Sequence, residues 1–184
     1  TARPSSKLHA LKALKEKHQH LDIDLFDITD AKGRKAFVRS VLAKPERIDA
    51  LIHNAGFSSQ GHVFDLDLDV YAKQMETNFL APVALTKALL PRMIQQRAGR
   101  IIFVSSLLGR AALPMTSAYS ASKFALEGFG EALRYELLPI GLWVSLIEPG
   151  GFKTQIQVNR VYSHETPESP FFHQAKVLRA YAGV

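Results

Sequence analysis

A hydroxyl, a phenol and an amine fall close together in the middle of this chain. Ser106 closes the run Ile101-Ile102-Phe103-Val104-Ser105-Ser106, and Tyr119 and Lys123 follow within Tyr119-Ser120-Ala121-Ser122-Lys123. Residues four apart on a helix project from one face about a turn from each other. An ammonium beside a phenol favours phenolate, lowering a pKa that starts near ~10 by roughly 1–3 units. The pair is therefore expected to give and take a proton closer to neutral pH than a free tyrosine could. Tyr-x-x-x-Lys alone recurs by chance, so the elements that carry it must supply the argument.

The apolar run between Gly99 and Gly109 reads as a strand buried on both faces, as in a parallel sheet. Ser106 then sits at the carboxyl end of that strand, where open α/β sheets place their ligands. Tyr119 and Lys123 lie on a helix predicted over 116–138, stopped by Pro139 and Gly141. Ala118, Ala121, Ser122 and Ala125 make one side of it small. Gly128 and Gly130, each costing ~1 kcal/mol against Ala, imply that a neighbour comes close.

Other elements follow from the same patterns. Residues 7–18 read as a helix. Leu21, Ile23 and Leu25 alternate with Asp22 and Asp24, which predicts an edge strand with one wet face. Thr29 or Asp30 caps a helix reaching about Leu42. A strand over 48–53 ends in Asn54-Ala55-Gly56, small residues that let backbone approach a ligand, and the polar stretch 57–61 reads as a loop. A short helix begins near Leu68. A longer one spans about 77–96, with Asn78 as a good cap, Pro82 early and Pro91 at a kink or fraying end. Residues 142–147 form another buried strand, then the turn Pro149-Gly150, and a helix is predicted near 172–180.

The motifs, taken in order, resemble the short-chain dehydrogenase/reductase family. Asp27, His53-Asn54-Ala55-Gly56, Asn78, Ser106, Tyr119, Lys123 and Pro149-Gly150 through Thr154 occur in that family's sequence, and Ser106 precedes Tyr119 by its thirteen residues. The resemblance covers nearly the whole chain. It implies an NAD(P)-dependent oxidoreductase that moves a hydride between nicotinamide and a carbonyl or secondary alcohol. By resemblance, Tyr119 is the acid/base, Ser106 orients the substrate oxygen, Lys123 lowers the tyrosine pKa and holds the nicotinamide ribose, and Asn78 completes a proton relay through a water. It also implies cofactor contacts at Asp27 (adenine), Asn54, Ala55, Gly56, Pro149, Gly150 and Thr154, beside those of Tyr119 and Lys123. Phe152, with Phe171 and Phe172, would line the substrate side of a lid over 150–184. His53 replaces the family's first Asn and reads as a hydrogen-bonded histidine at a strand end.

The implied fold is a Rossmann-like doubly wound parallel α/β sheet with helices on both faces, lacking its first strand and most of its second. No Gly-rich phosphate turn is present, since Gly56-Phe57-Ser58-Ser59-Gln60-Gly61 has the wrong spacing. The sequence is thus expected to be a partial domain, 1–184, short of ~30 or more residues at its start. Arg3, just after where the second strand would end, favours NADP(H) over NAD(H), because an arginine there can meet the 2′-phosphate. The family's two long helices commonly form a dimer interface, so a homodimer or homotetramer is expected. The run Leu133-Arg134-Tyr135-Glu136-Leu137 and the 148–154 loop resemble members that act on steroids or retinoids.

Composition narrows the alternatives. The 184 residues are 47% hydrophobic, which suits one soluble domain, and no membrane span or secretory leader is visible, so cytoplasm is expected. With zero cysteines there is no thiolate chemistry. The net charge of +6 has no aromatic platform or DNA-binding motif beside it, so nucleic acid is not expected. A Ser106 hydrolase lacks the Gly-x-Ser-x-Gly elbow, and no His-Glu-x-x-His suggests a metal. The surviving rival is a non-catalytic nucleotide-sensing or scaffold protein on the same fold.

Overall fold

The computed structural model describes residues 8–18, 20–151, 156, 160–163 and 166–181. Helix α1 (Leu8–Lys17) comes first, followed by an extended segment. Leu21 and Ile23 are half-buried and Asp22 and Asp24 exposed, as the alternation requires, but only an isolated bridge forms at Leu25. The predicted edge strand is therefore not formed: among the described residues no sheet strand lies alongside it to complete a ladder. Helix α2 (Ala31–Leu42) is capped by Asp30, whose carboxylate accepts from the N–H groups of Lys32 and Gly33 at 2.9 and 3.0 Å.

The central sheet holds β1 (Ala50–His53), β3 (Gly99–Val104) and β4 (Leu142–Ile147), all parallel, in the order β1-β3-β4. Ile52 pairs with Ile102, and Ile102 with Ser145. Between β1 and β3 the chain crosses by α3 (Leu68–Met75), a π-helical segment (Glu76–Leu80) and α4 (Ala81–Gln96); between β3 and β4 it crosses by α5 (Ser117–Leu137). Both crossovers bury the same face. Met93 of α4 and Leu126, Leu133 and Leu137 of α5 pack on Ile101, Phe103, Leu142 and Val144. The alternate residues are not covered alike: Ile102 and Val104 are half-buried and Trp143 and Ile147 exposed. The expectation of strands buried on both faces is corrected to this one-sided burial among the described residues.

Three local departures matter for the site. Asn78 does not cap a helix; it lies inside the π segment, where the Ala81 N–H reaches the Glu76 carbonyl five residues back. Pro82 follows at once and has no N–H to offer Asn78, which fits a widened turn there. Helix α4 then passes through Pro91 to Gln96. The stretch expected as a loop contains β2 (Ser59–Gln60), which pairs in parallel with β5 (Val161–Tyr162). Neighbour contact explains one of the two helix glycines: a Cβ at Gly130 would stand 2.8 Å from Leu146, while one at Gly128 would meet nothing within 4 Å. Ala118 and Ser122 face inward as expected, and Ala121 faces solvent. The last helix spans Phe172–Tyr181, and no helix among the described residues is long and apolar enough to cross a membrane.

Candidate active site

The site forms where β1, β3 and β4 end. Beyond β3, Ser105 donates its N–H to the Ile147 carbonyl at 2.8 Å, and Leu107 donates to the Pro149 carbonyl at 3.0 Å. These bonds hold the Ser106 turn against the Pro149-Gly150 turn. Ser106 has an extended backbone and caps the short helix Leu107–Gly109, its Oγ accepting from the Leu108 N–H at 3.2 Å.

Helix α5 brings Tyr119 and Lys123 to the same place. Both are buried, and the Ser106 hydroxyl lies near enough to the phenol to draw its pKa down. The Lys123 Nζ donates to the Val104 carbonyl at 2.8 Å and lies 5.8 Å from the centre of the Tyr119 ring. Asn78, wholly buried, donates through Nδ2 to Ser122 Oγ at 3.0 Å and to the Phe57 carbonyl at 3.1 Å. Its Oδ1 accepts from the Phe57 N–H at 3.2 Å. Ser122 in turn donates to the Tyr119 carbonyl at 2.7 Å. Gly56 is the floor on which the two chains of contact meet, because a Cβ there would lie 3.0 Å from Asn78 Oδ1 and 3.9 Å from Lys123 Nζ.

The electrostatics correct one expectation. Burial raises the Tyr119 pKa; the nearby Ser106 hydroxyl and the charge of Arg160 pull it down, and burial prevails. At neutral pH Tyr119 is therefore a protonated donor rather than an incipient phenolate. The same burial pushes Lys123 down to about 8, opposed by the Glu127 carboxylate.

Other expected residues fall as follows. Asn54 and Ala55 are exposed at the end of β1, Gly56 is half-buried, and Gly150 is exposed with open space where its Cβ would be. Asp27 accepts from the Thr29 N–H and hydroxyl at 2.8 and 2.7 Å at the turn entering α2. His53 is buried as a strand-end histidine, with Nε2 2.9 Å from Thr86 Oγ1 and its ring stacked on Phe103. Phe171 stacks on His62, 4.6 Å between ring centres. Arg3, Phe152 and Thr154 lie outside the described residues. The open, small-residue edge formed by Asn54-Ala55-Gly56 and Pro149-Gly150, with the Lys123 ammonium beneath, fits the nicotinamide-ribose half of a dinucleotide. A groove of about 720 Å³ between α2 and α4 is apolar, lined by Val38, Leu42, Ala84 and Ala88 among others, and holds none of these groups.

Sequence reasoning missed Ser122, Gln74 and Arg160. Gln74, fully buried, accepts from Ser59 Oγ at 2.6 Å and donates to the Phe57 carbonyl. Its place one helical turn before Asn78 was the available signal. Ser122 stood beside Lys123. Arg160 had none.

A strand-end serine, a Tyr-x-x-x-Lys helix and a buried asparagine on a parallel α/β sheet define a family, and the chain belongs to it. Residues 1–164 match the model of the short chain dehydrogenases. Dehydrogenase/reductase SDR family member 7B of Xenopus laevis is 41% identical over 137 residues, which are 74% of this chain and 42% of that protein. The uncharacterized oxidoreductase YusZ of Bacillus subtilis is 39% identical over 98% of this chain and 66% of its own length. Among solved structures, a short-chain dehydrogenase from Streptomyces avermitilis superposes with TM-score 0.78 at 32% identity, covering 86% of this chain and 60% of the other. The F189W actinorhodin polyketide ketoreductase with NADPH superposes with TM-score 0.77 at 30% identity, covering 83% and 59%. The chain thus spans about two fifths of the Xenopus relative's length and about three fifths of either solved structure.

Proposed function

We propose that this chain carries the catalytic part of an NAD(P)-dependent oxidoreductase that interconverts a carbonyl and a secondary alcohol on a small molecule. The observation that carries the reading is the meeting of Tyr119 and Lys123 of α5 with the strand end that leads to Ser106, where Lys123 bonds the Val104 carbonyl and closes with Asn78 around Gly56. In reduction, a bound reduced nicotinamide would supply the hydride that the carbonyl carbon takes up. Tyr119 Oη gives its proton to the developing alkoxide, and Ser106 holds the same oxygen by a hydrogen bond. A protonated phenol at neutral pH suits that donor role. Lys123 holds the ribose hydroxyls, and Asn78 fixes Ser122 and the Phe57 backbone behind it. Oxidation of the alcohol runs the same steps backwards.

NADP(H) is the proposed cofactor, supported by the NADPH in the ketoreductase relative and by the sequence expectation at Arg3. The proposed assembly is a homodimer or homotetramer through the outer faces of α4 and α5. The test is NADPH oxidation by the intact native protein over a panel of ketones. Tyr119→Phe is expected to cut turnover by roughly 10²–10⁴-fold with NADPH affinity nearly unchanged. Wild-type turnover in that variant removes Tyr119 from its role, and NADPH binding without any turnover favours the nucleotide sensor.

A further inference from the structure

Two arginines of this chain are set in contrasting surroundings. Arg110 is matched by acids on every side: Nη1 bonds Glu131 at 2.7 Å, Nε bonds Glu148 at 3.0 Å, and Nη2 lies 3.5 Å from Glu127. Arg160 is half-buried and is held by neutral groups. Its Nε donates to Ser58 Oγ at 3.2 Å and its Nη1 to Gln60 Oε1 at 2.7 Å. Both acceptors are themselves buried. The backbone on either side is pinned as well, since Val161 donates to the Ser58 carbonyl and Ser163 to the Gln60 carbonyl, each at 3.0 Å. Among the described residues no carboxylate comes within ion-pair distance of Arg160.

A guanidinium drawn out of water is costly unless an anion meets it, and its planar fork is suited to a carboxylate. Here the fork is oriented in advance by two buried side chains. Ser58 follows Phe57, whose backbone is bonded to Asn78 beside Gly56 and Lys123, so the guanidinium is anchored next to the place where the reacting oxygen would lie, and its charge acts on the Tyr119 phenol. We propose that Arg160 is the anion-recognising residue of the substrate cleft, and that the substrate is an oxo acid or hydroxy acid with its carboxylate a few bonds from the reacting carbon. This rests on the oxidoreductase reading. The same chemistry could come from a phosphate of the cofactor. A substrate carboxylate is the better match, because Tyr119 marks the end of the site where the substrate reacts.

The intact native protein decides between them. With NADPH, acetoacetate, its methyl ester and a neutral steroid ketone are compared as substrates of wild type, Arg160→Gln and Arg160→Lys. The acid is expected to show a KM about tenfold or more below its ester in the wild type. Arg160→Gln is expected to erase that difference by raising the acid's KM, with the ester's KM and NADPH affinity unchanged, and Arg160→Lys to restore part of it. Equal treatment of acid and ester by wild type, equal loss of both in Arg160→Gln, a preference for the steroid ketone, or a loss confined to NADPH affinity overturns the proposal. Calorimetric titration of 3-phenylpropionate and its amide onto the NADPH-loaded protein reads recognition without turnover. If no ketone is reduced, the oxidoreductase reading fails on its own. The titration then still decides Arg160: carboxylate binding lost in Arg160→Gln supports it, and no binding to wild type overturns it.

Discussion

The Lys123 ammonium donates to the Val104 carbonyl at 2.8 Å, tying the helix that carries Tyr119 to the strand that leads to Ser106. That bond holds a charge in a buried place, and burial brings Lys123 down to about 8. The unfolded chain keeps this proton up to ~10.4. Below pH 8 the folded protein therefore bears a charged ammonium it would rather neutralise. The penalty shrinks as pH rises from about 8 to 10.5 and is gone above. It amounts to roughly 3 kcal/mol. Lys123→Met in the cofactor-free protein is expected to be about 1–3 kcal/mol more stable at pH 7 and to lack the wild-type rise in stability between pH 8 and 10.5. Urea unfolding across that range checks it; equal stability at pH 7 would show that the buried charge carries no such cost.

Glu127, one turn further along α5, is the charge that offsets this burial. Both its oxygens are buried without a hydrogen-bond partner, as is Ser105 Oγ, and Arg110 Nη2 lies 3.5 Å from Oε2. Removing the cation strands the carboxylate. Arg110→Ala is expected to lower Tm markedly. In a Glu127→Gln background the same change should cost much less. The four melting curves of this double-mutant cycle give the coupling directly, and equal losses in both backgrounds would deny it.

Where sequence reading succeeded and failed has physical causes. The Ser106, Tyr119 and Lys123 placement was visible because the apolar run and the helix signals each fix a direction for the next side chain. His53 was visible for a similar reason, as a polar residue ending an apolar strand. The pairing of Ser59-Gln60 with Val161-Tyr162 was not, since a polar pair joined across a hundred residues leaves no local period. The π turn at Asn78 was hidden because an asparagine ahead of a proline reads equally as a helix cap followed by a proline in the first turn. The sign of the Tyr119 shift failed for a different reason. The neighbouring lysine can be read from spacing, whereas the burial that raises the phenol's pKa belongs to the fold.

His53 supplies an acid-side test. Burial takes its pKa from 6.5 to about 4, and the neutral ring meets Thr86 Oγ1 at 2.9 Å. A lowered imidazole pKa means that the unfolded chain takes up a proton first. The stability is thus complete above about pH 6.5 and is lost as pH falls towards 4, by roughly 3 kcal/mol. His53→Asn is expected to be less stable than wild type at pH 7, because it loses the stack on Phe103, and to close most of that gap by pH 4. Chemical unfolding of both proteins at pH 7, 5.5 and 4 reads the difference. A gap that stays constant would mean that His53 does not titrate in this window.

Gly56 tests how tightly the site is built. Its φ is not in the left-handed region, so alanine is acceptable to the backbone there, and any effect must come from contact. The added Cβ would stand 3.0 Å from Asn78 Oδ1 and 3.9 Å from Lys123 Nζ. Asn78 cannot easily retreat: it is fixed to the Phe57 N–H and carbonyl and to Ser122 Oγ, inside a π turn closed by the Ala81 N–H. The strain should therefore pass to Ser122 and, through its bond to the Tyr119 carbonyl, to the turn of α5 that aims the phenol. Misplacement of a reacting group by a fraction of an ångström to 1 Å costs up to ~10²-fold. Gly56→Ala is expected to lower kcat by about 10- to 100-fold with a smaller change in KM and little change in Tm. Steady-state kinetics and a melting curve on the same preparation separate these. An unchanged kcat would mean that Asn78 and Tyr119 are not coupled through this wall, and that the asparagine is there only to hold the Phe57 turn.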